Sequence, residues 1–205
     1  MHGSHADTSK NAIKAIYFKN NLNLFYKIIV STIPLIIIGY FLYSTGIIYE
    51  FRNIKVIVWT TFGGAILLHL ADRRKIFKNL ENNFNFKSAL IIGFFQVIAL
   101  IPGMSRAGIT ITAGRILGFD RTDSTKISFY LSIPALAGAS AIGIKDLLKE
   151  NIEFNFIALI GILLSFIFSL ITIKYFLKFI SKFSFKIFVF YRIILSLILL
   201  YIIYF

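Results

Sequence analysis

The chain has 205 residues, 58% of them hydrophobic and only 15% charged, and it has no cysteine. A soluble domain cannot hide that much apolar surface, so the composition specifies an integral membrane protein; the absence of cysteine excludes disulfides and thiolate metal sites. The net charge of +13 does not indicate nucleic acid, because the basic residues sit between apolar runs rather than on one soluble face; topology and anionic lipid account for them.

Residues 1–23 form a polar N-terminal segment with Lys10, Lys14 and Lys19, which argues against a cleavable signal peptide. Its two histidines, His2 and His5, are read as incidental, since a metal site needs fixed geometry and more ligands. The first span is expected at 24–43, with Pro34 inside it as a kink that membrane helices tolerate. The second is expected at 56–71, with Trp59 as an interfacial anchor and Gly63-Gly64 allowing close helix packing. His69 near its end reads as an interfacial residue ahead of the basic, asparagine-rich loop 72–87.

The stretch 88–118 carries the strongest signal. Two short apolar segments flank an interruption, Ile101-Pro102-Gly103-Met104-Ser105-Arg106. Pro102 lacks an amide hydrogen and ends the first segment, Ser105 is suited to cap the second, and Gly118 is suited to stop it. Each half is about 20 Å of helix, against a hydrocarbon core about 30 Å thick. The expectation is a re-entrant pair, whose break survives at depth only inside protein or beside a water-filled cavity. The second half-helix begins with free amides, the positive end of its dipole, the planar donors of Arg106 and the hydroxyl of Ser105. Gly103 and Gly108 allow close approach to the backbone, so the break reads as an anion site within a membrane.

A short polar connection, 119–126, follows, with Asp123 and Ser124 as expected caps. Three more spans are expected at 127–144, 156–176 and 187–204, with an acidic-leaning loop at 146–154. With Lys10 cytoplasmic, Arg52, Lys55, Lys145 and Lys149 fall outside and Arg106, Arg115 and Arg192 within the membrane; the other 15 of 22 basic residues are cytoplasmic, as the positive-inside rule requires. The expected fold is therefore all-α and multi-pass, with about five transmembrane helices plus one re-entrant pair.

The residues Ala99-Leu-Ile-Pro-Gly-Met-Ser-Arg-Ala-Gly-Ile-Thr110 resemble the P-G-x-S-R-S-G-x-T signature of the undecaprenyl-pyrophosphate phosphatases, also called bacitracin-resistance proteins. Residues 128–138 resemble that family's next span, and Phe190-Tyr-Arg-Ile-Ile194 its last. Met104 and Ala107 replace the usual small hydroxyl residues. The resemblance implies a membrane phosphatase that hydrolyses undecaprenyl diphosphate to undecaprenyl phosphate and inorganic phosphate, returning the lipid carrier to cell-wall synthesis in the bacterial plasma (inner) membrane. It implies an inverted-repeat fold, with 24–72 the remainder of a first unit and 88–205 a second, within one membrane domain 24–205. It also implies a divalent metal, Mg or Ca, but the glutamate-rich motif of the family's first unit has no match in this sequence, and the metal ligands stay unassigned.

The expected catalytic residues are Arg106 and Ser105, and the expected diphosphate-binding residues are Gly103, Arg106, Gly108, Thr110 and Gln96. The expected partners are a polyprenyl diphosphate lipid and the membrane, with a homodimer allowed and nucleic acid excluded. A non-catalytic lipid-phosphate transporter or flippase, or an inactive truncated homologue, is the alternative reading, since fold alone does not fix function.

Overall fold

The computed structural model describes the backbone of residues 4–149 and 156–204, and the side chains of 21–145 and 156–204. Among these residues the chain is helical: α1 (Ser4–Ser44), α2 (Ile47–Glu50), α3 (Ile54–Asp72), α4 (Leu80–Asn83), α5 (Phe86–Ile98), α6 (Arg106–Ile116), α7 (Arg121–Lys149), α8 (Phe156–Ile180) and α9 (Lys186–Tyr204). Five are long and apolar enough to cross a membrane: 21–44 of α1, α3, 121–145 of α7, α8 and α9. Their large side chains face outward along much of their length, α8 most of all, as expected where lipid replaces water as the solvent.

The five spans fall where expected, with shifts at their ends that have simple causes. α1 runs back unbroken to Ser4, because polarity decides whether a segment enters a membrane and not whether it is helical. The tail histidines lie outside the described side chains. α7 begins at Arg121 and continues to Lys149, so 121–126 of the expected polar connection and the first part of the loop 146–154 are helix. The cap of α7 is Asp120, whose Oδ1 accepts the Asp123 N–H at 2.6 Å, and not Asp123 or Ser124. Asp123 instead accepts the Leu80 N–H at 2.8 Å and pairs with Lys126 at 3.5 Å, while Ser124 is buried.

α5 and α6 are the two half-helices, 13 and 11 residues long, or about 20 and 16 Å at ~1.5 Å per residue. The rings of Phe84, before α5, and Phe119, after α6, meet edge to face at 6.1 Å, so the pair returns to the side it came from. α6 is enclosed: residues 109–115 are all buried. Ile111 packs with Ala65, Leu68, Ile180, Phe185 and Val189, and Ala113 packs with Ala89, Ile92, Phe119, Ile127 and Leu131. α5 in turn lies on α1, where Gly93 touches the Ser31 backbone so closely that a side chain would not fit.

The far end of α6 is locked by charge. Arg115 is 2% exposed and donates from Nη1 to the Phe119 carbonyl at 2.5 Å and from Nη2 to the carbonyls of Asp72 and Arg74 at 2.9 and 2.8 Å. Arg121, in the stretch expected as a polar connection, stays partly exposed and makes a two-pronged pair with buried Asp72 at 2.7 and 3.1 Å. The loop after α3 is thereby tied to the turn between α6 and α7, and the Gly118 carbonyl accepts the N–H groups of Phe77 and Lys78 at 3.1 Å each.

Arg115→Ala should therefore destabilise the protein by about 3 kcal/mol, because it leaves three carbonyls and Asp72 short of a buried partner. Arg121→Ala should cost only about 1 kcal/mol, since that arginine is partly solvated. Thermal unfolding of detergent-solubilised protein reads both.

Candidate active site

The break between α5 and α6 occupies residues 99–105. The chain tightens as α5 ends, with N–H groups of Ala99, Leu100 and Ile101 donating three residues back at 3.0, 2.9 and 3.1 Å. Pro102 has no N–H to extend this ladder. Gly103 then takes φ +89°, and a Cβ on it would run into the Ile57 carbonyl and the Thr60 hydroxyl of α3, so both the backbone and its neighbour require glycine. Ser105, at φ 61°, is the one described non-glycine residue with positive φ. Its Oγ accepts the Gly108 N–H at 3.2 Å and its carbonyl accepts the Ile109 N–H at 3.0 Å, the capping role expected of it.

The carbonyls freed by the break are taken up by side chains from two other helices. Thr60 Oγ1 donates to the Pro102 carbonyl at 2.5 Å, and Thr61 Oγ1, 2.6 Å from the Ile57 carbonyl of its own helix, shares its proton with the Gly103 carbonyl at 3.1 Å. Arg192 of α9 donates from Nη2 to the carbonyls of Gly103 and Met104 at 2.7 and 3.3 Å. Gly64 makes the room: a Cβ there would stand 3.1 Å from Arg192 Nη2 and 3.0 Å from Met104 Sδ. Gly108 similarly faces Arg192 Nη1, 2.9 Å from where its Cβ would be. Arg192 was not among the residues expected at the site. Its signal was present as a lone arginine in an apolar run, but which group it would meet depends on how α9 crosses the pair.

Arg106 opens α6 and points into a cavity of about 600 Å³ between α6, α7 and α8. Hydroxyls line it: Ser128 and Ser132 from α7, and Ser165, Ser169 and Thr172 from one face of α8. Arg106 Nη1 is buried and has no hydrogen-bond partner. A buried donor without an acceptor costs about 1–3 kcal/mol, which an anion in the cavity would recover. The N–H groups of Arg106 and Ala107 have no acceptor within the helix and add the positive end of its dipole.

The other expected residues are placed differently. Gly103 is packed against α3, with its carbonyl engaged, and the Gly108 N–H is held by Ser105. Thr110 is buried behind Arg106, donating to the Arg106 carbonyl at 2.9 Å and sharing a hydrogen bond with Ser128 Oγ at 2.7 Å, which ties α6 to α7. Gln96 is fully buried on α5, with neither side-chain amide atom partnered, and is not part of the cavity wall. Ser105 and Arg106 are the two brought together at the start of α6.

Among the described residues no three of His, Cys, Asp and Glu come together. Asp72, Asp120 and Asp123 are all engaged at the opposite end of α6, about 16 Å from Arg106 by helix rise. The oxygens beside Arg106 are neutral hydroxyls, which do not make a carboxylate set for a hard divalent cation.

Comparison with known proteins identifies the family. The family described as bacitracin resistance protein BacA matches residues 4–198. The undecaprenyl-diphosphatase of Pelagibacter ubique (strain HTCC1062) is 51% identical over 187 residues, covering 91% of this chain and 73% of that protein. Those of Elusimicrobium minutum (strain Pei191) and Ruegeria sp. (strain TM1040) are 42% and 35% identical, each covering 86% of this chain and 67% of the relative.

Gly103→Ala should lower stability by about 2 kcal/mol or more, from the positive φ alone, before the collision with α3 is counted. Gly63→Ala, in α3, whose Cβ would meet nothing within 4 Å, should be neutral or slightly stabilising. Melting temperatures of the two variants in detergent check the contrast.

Proposed function

Since the chain belongs to the bacitracin resistance protein BacA family, we propose that it hydrolyses undecaprenyl diphosphate to undecaprenyl phosphate and inorganic phosphate, recycling the carrier lipid of cell-wall synthesis. The observation that carries this reading is Arg106: a guanidinium at a half-helix N-terminus that lines a cavity beside lipid-exposed helices and keeps one buried nitrogen without a partner. We place this multi-pass protein in the bacterial plasma membrane, where the polyprenyl tail stays in the bilayer while the diphosphate enters the cavity.

The chemistry follows from charge. Water adds to the terminal phosphorus, the bond to the bridging oxygen breaks, and the lipid leaves as its monophosphate. Negative charge shifts toward that leaving group and must be neutralised in place. Arg106 offers two parallel donors to non-bridging oxygens, and the first amides of α6 offer two more. Ser105 Oγ accepts from Gly108, which leaves its own proton to donate to a phosphate oxygen. No described side chain stands beside Ser105 as a base, so its part is to bind and orient. A divalent cation, Mg or Ca, belongs to the proposal through the family resemblance and would neutralise phosphate charge. The described groups beside Arg106 do not hold one, and their own contribution is recognition of the diphosphate.

Arg106→Ala should lower kcat/KM for lipid diphosphate by about 100-fold or more, the usual loss when a charged donor is removed from a phosphoryl-transfer site. Arg106→Lys should recover only part of this, because lysine lacks the fork. Arg121→Ala should keep its turnover at a temperature where it remains folded. Phosphate release from the purified variants measures all three, and parent-like activity of Arg106→Ala would overturn the assignment.

A further inference from the structure

A second cavity, of about 350 Å³, lies between α3 and α9, away from the Arg106 cavity. α3 ends and α9 begins at the same end of the molecule, and each contributes a stripe that changes character along its length. On α3 and its cap these are Ile66, His69 and Arg73; on α9 they are Lys186, Val189 and Ile193. Both stripes follow helical spacing of three and four residues, so each presents one face. Arg73 and Lys186 stand at the mouth and are exposed, while Ile66, Val189 and Ile193 make an apolar slot that runs inward for about 10 Å, seven residues of α9.

The charge at this mouth is uncompensated. Asp72, the neighbouring carboxylate, is turned inward and committed to Arg121 and Arg115. Neither Arg73 nor Lys186 has an ion-pair partner among the described residues. Arg74, Lys75, Lys178 and Lys182 surround the same end and add to the positive field. A basic pocket between transmembrane helices at the headgroup level is the arrangement that holds anionic lipid head groups. The apolar slot selects a lipid over free phosphate, which would gain nothing from Ile66, Val189 and Ile193.

We propose that this α3–α9 groove is a binding site for an anionic phospholipid, with its phosphate between Arg73 and Lys186, His69 as a further donor, and the start of one acyl chain along Ile66 and Ile193. The site is separate from the diphosphate cavity and takes a different molecule: a structural bilayer lipid rather than the substrate.

The test is native mass spectrometry of the detergent-solubilised 205-residue chain with phosphatidylglycerol or phosphatidylcholine of identical acyl chains. The parent should retain one phosphatidylglycerol several-fold more strongly than phosphatidylcholine. Arg73→Gln/Lys186→Gln should bring that ratio to about one, and Arg73→Gln alone, which leaves α9 untouched, should fall between. Arg74→Gln/Lys75→Gln removes the same charge at the same end, outside the groove, and should leave the ratio unchanged. Ile66→Trp fills the slot, keeps every cation, and should reduce retention. Circular dichroism confirms that the variants remain helical. The proposal is overturned by equal retention of the two lipids in the parent, or by equal loss in the Arg74/Lys75 pair, which would mean a diffuse basic surface. It is also overturned by unaltered retention in Ile66→Trp, by displacement of the lipid with millimolar inorganic phosphate, or by a dimer peak in place of the lipid adduct.

Discussion

Everything in this molecule depends on a few carbonyl groups that must not be left bare. A break in a helix at membrane depth frees backbone oxygens where no bulk water can satisfy them. Here the carbonyls of Pro102, Gly103 and Met104 are met by Thr60 and Thr61 from α3 and by Arg192 from α9. Those hydrogen bonds explain the glycines around them: Gly64 and Gly108 leave space for the Arg192 guanidinium, and Gly103 lets the backbone touch α3. The positive charge of Arg192 is thus used structurally at the carbonyls, while Arg106 keeps a free N–H.

The two ends of α6 solve different problems. At its C-terminal end both terminal nitrogens of Arg115 are held by three carbonyls and its Nε stands 3.6 Å from Asp72, so the charge there is paired. At its N-terminal end charge is left open toward a hydroxyl-lined cavity. A half-helix anchored this way holds its dipole and Arg106 at a fixed depth, which is what selective binding of a multiply charged head group requires. The hydroxyls of α7 and α8 can exchange hydrogen bonds with a moving phosphate without trapping it as fixed cations would.

The same enclosure separates recognition from chemistry. The acidic groups whose side chains are described lie in loops or at helix ends, three of them spent on the locked end of α6. What surrounds the Arg106 cavity is neutral, apart from the arginine itself. Such a site neutralises charge and orients a diphosphate; its electrostatics favour whichever state of the substrate carries the most negative charge nearest to Arg106.

Much of this was legible in the sequence because membranes impose simple rules. Span positions follow from apolar length, the re-entrant pair from two halves too short to cross, the break from Pro102, and the cap from Ser105, each a local property of a few neighbouring residues. Arg106 was legible for the same reason: an arginine at a helix start inside an apolar stretch has few other uses. What the sequence could not decide is which distant groups meet. That Arg192 completes the break, that Arg121 pairs with buried Asp72, and that Thr110 and Gln96 are buried outside the cavity wall are consequences of how α3, α7 and α9 pack on the half-helices. Local rules set what each residue can donate or accept, whereas the partner is chosen only when helices tens of residues apart come within 3 Å of each other.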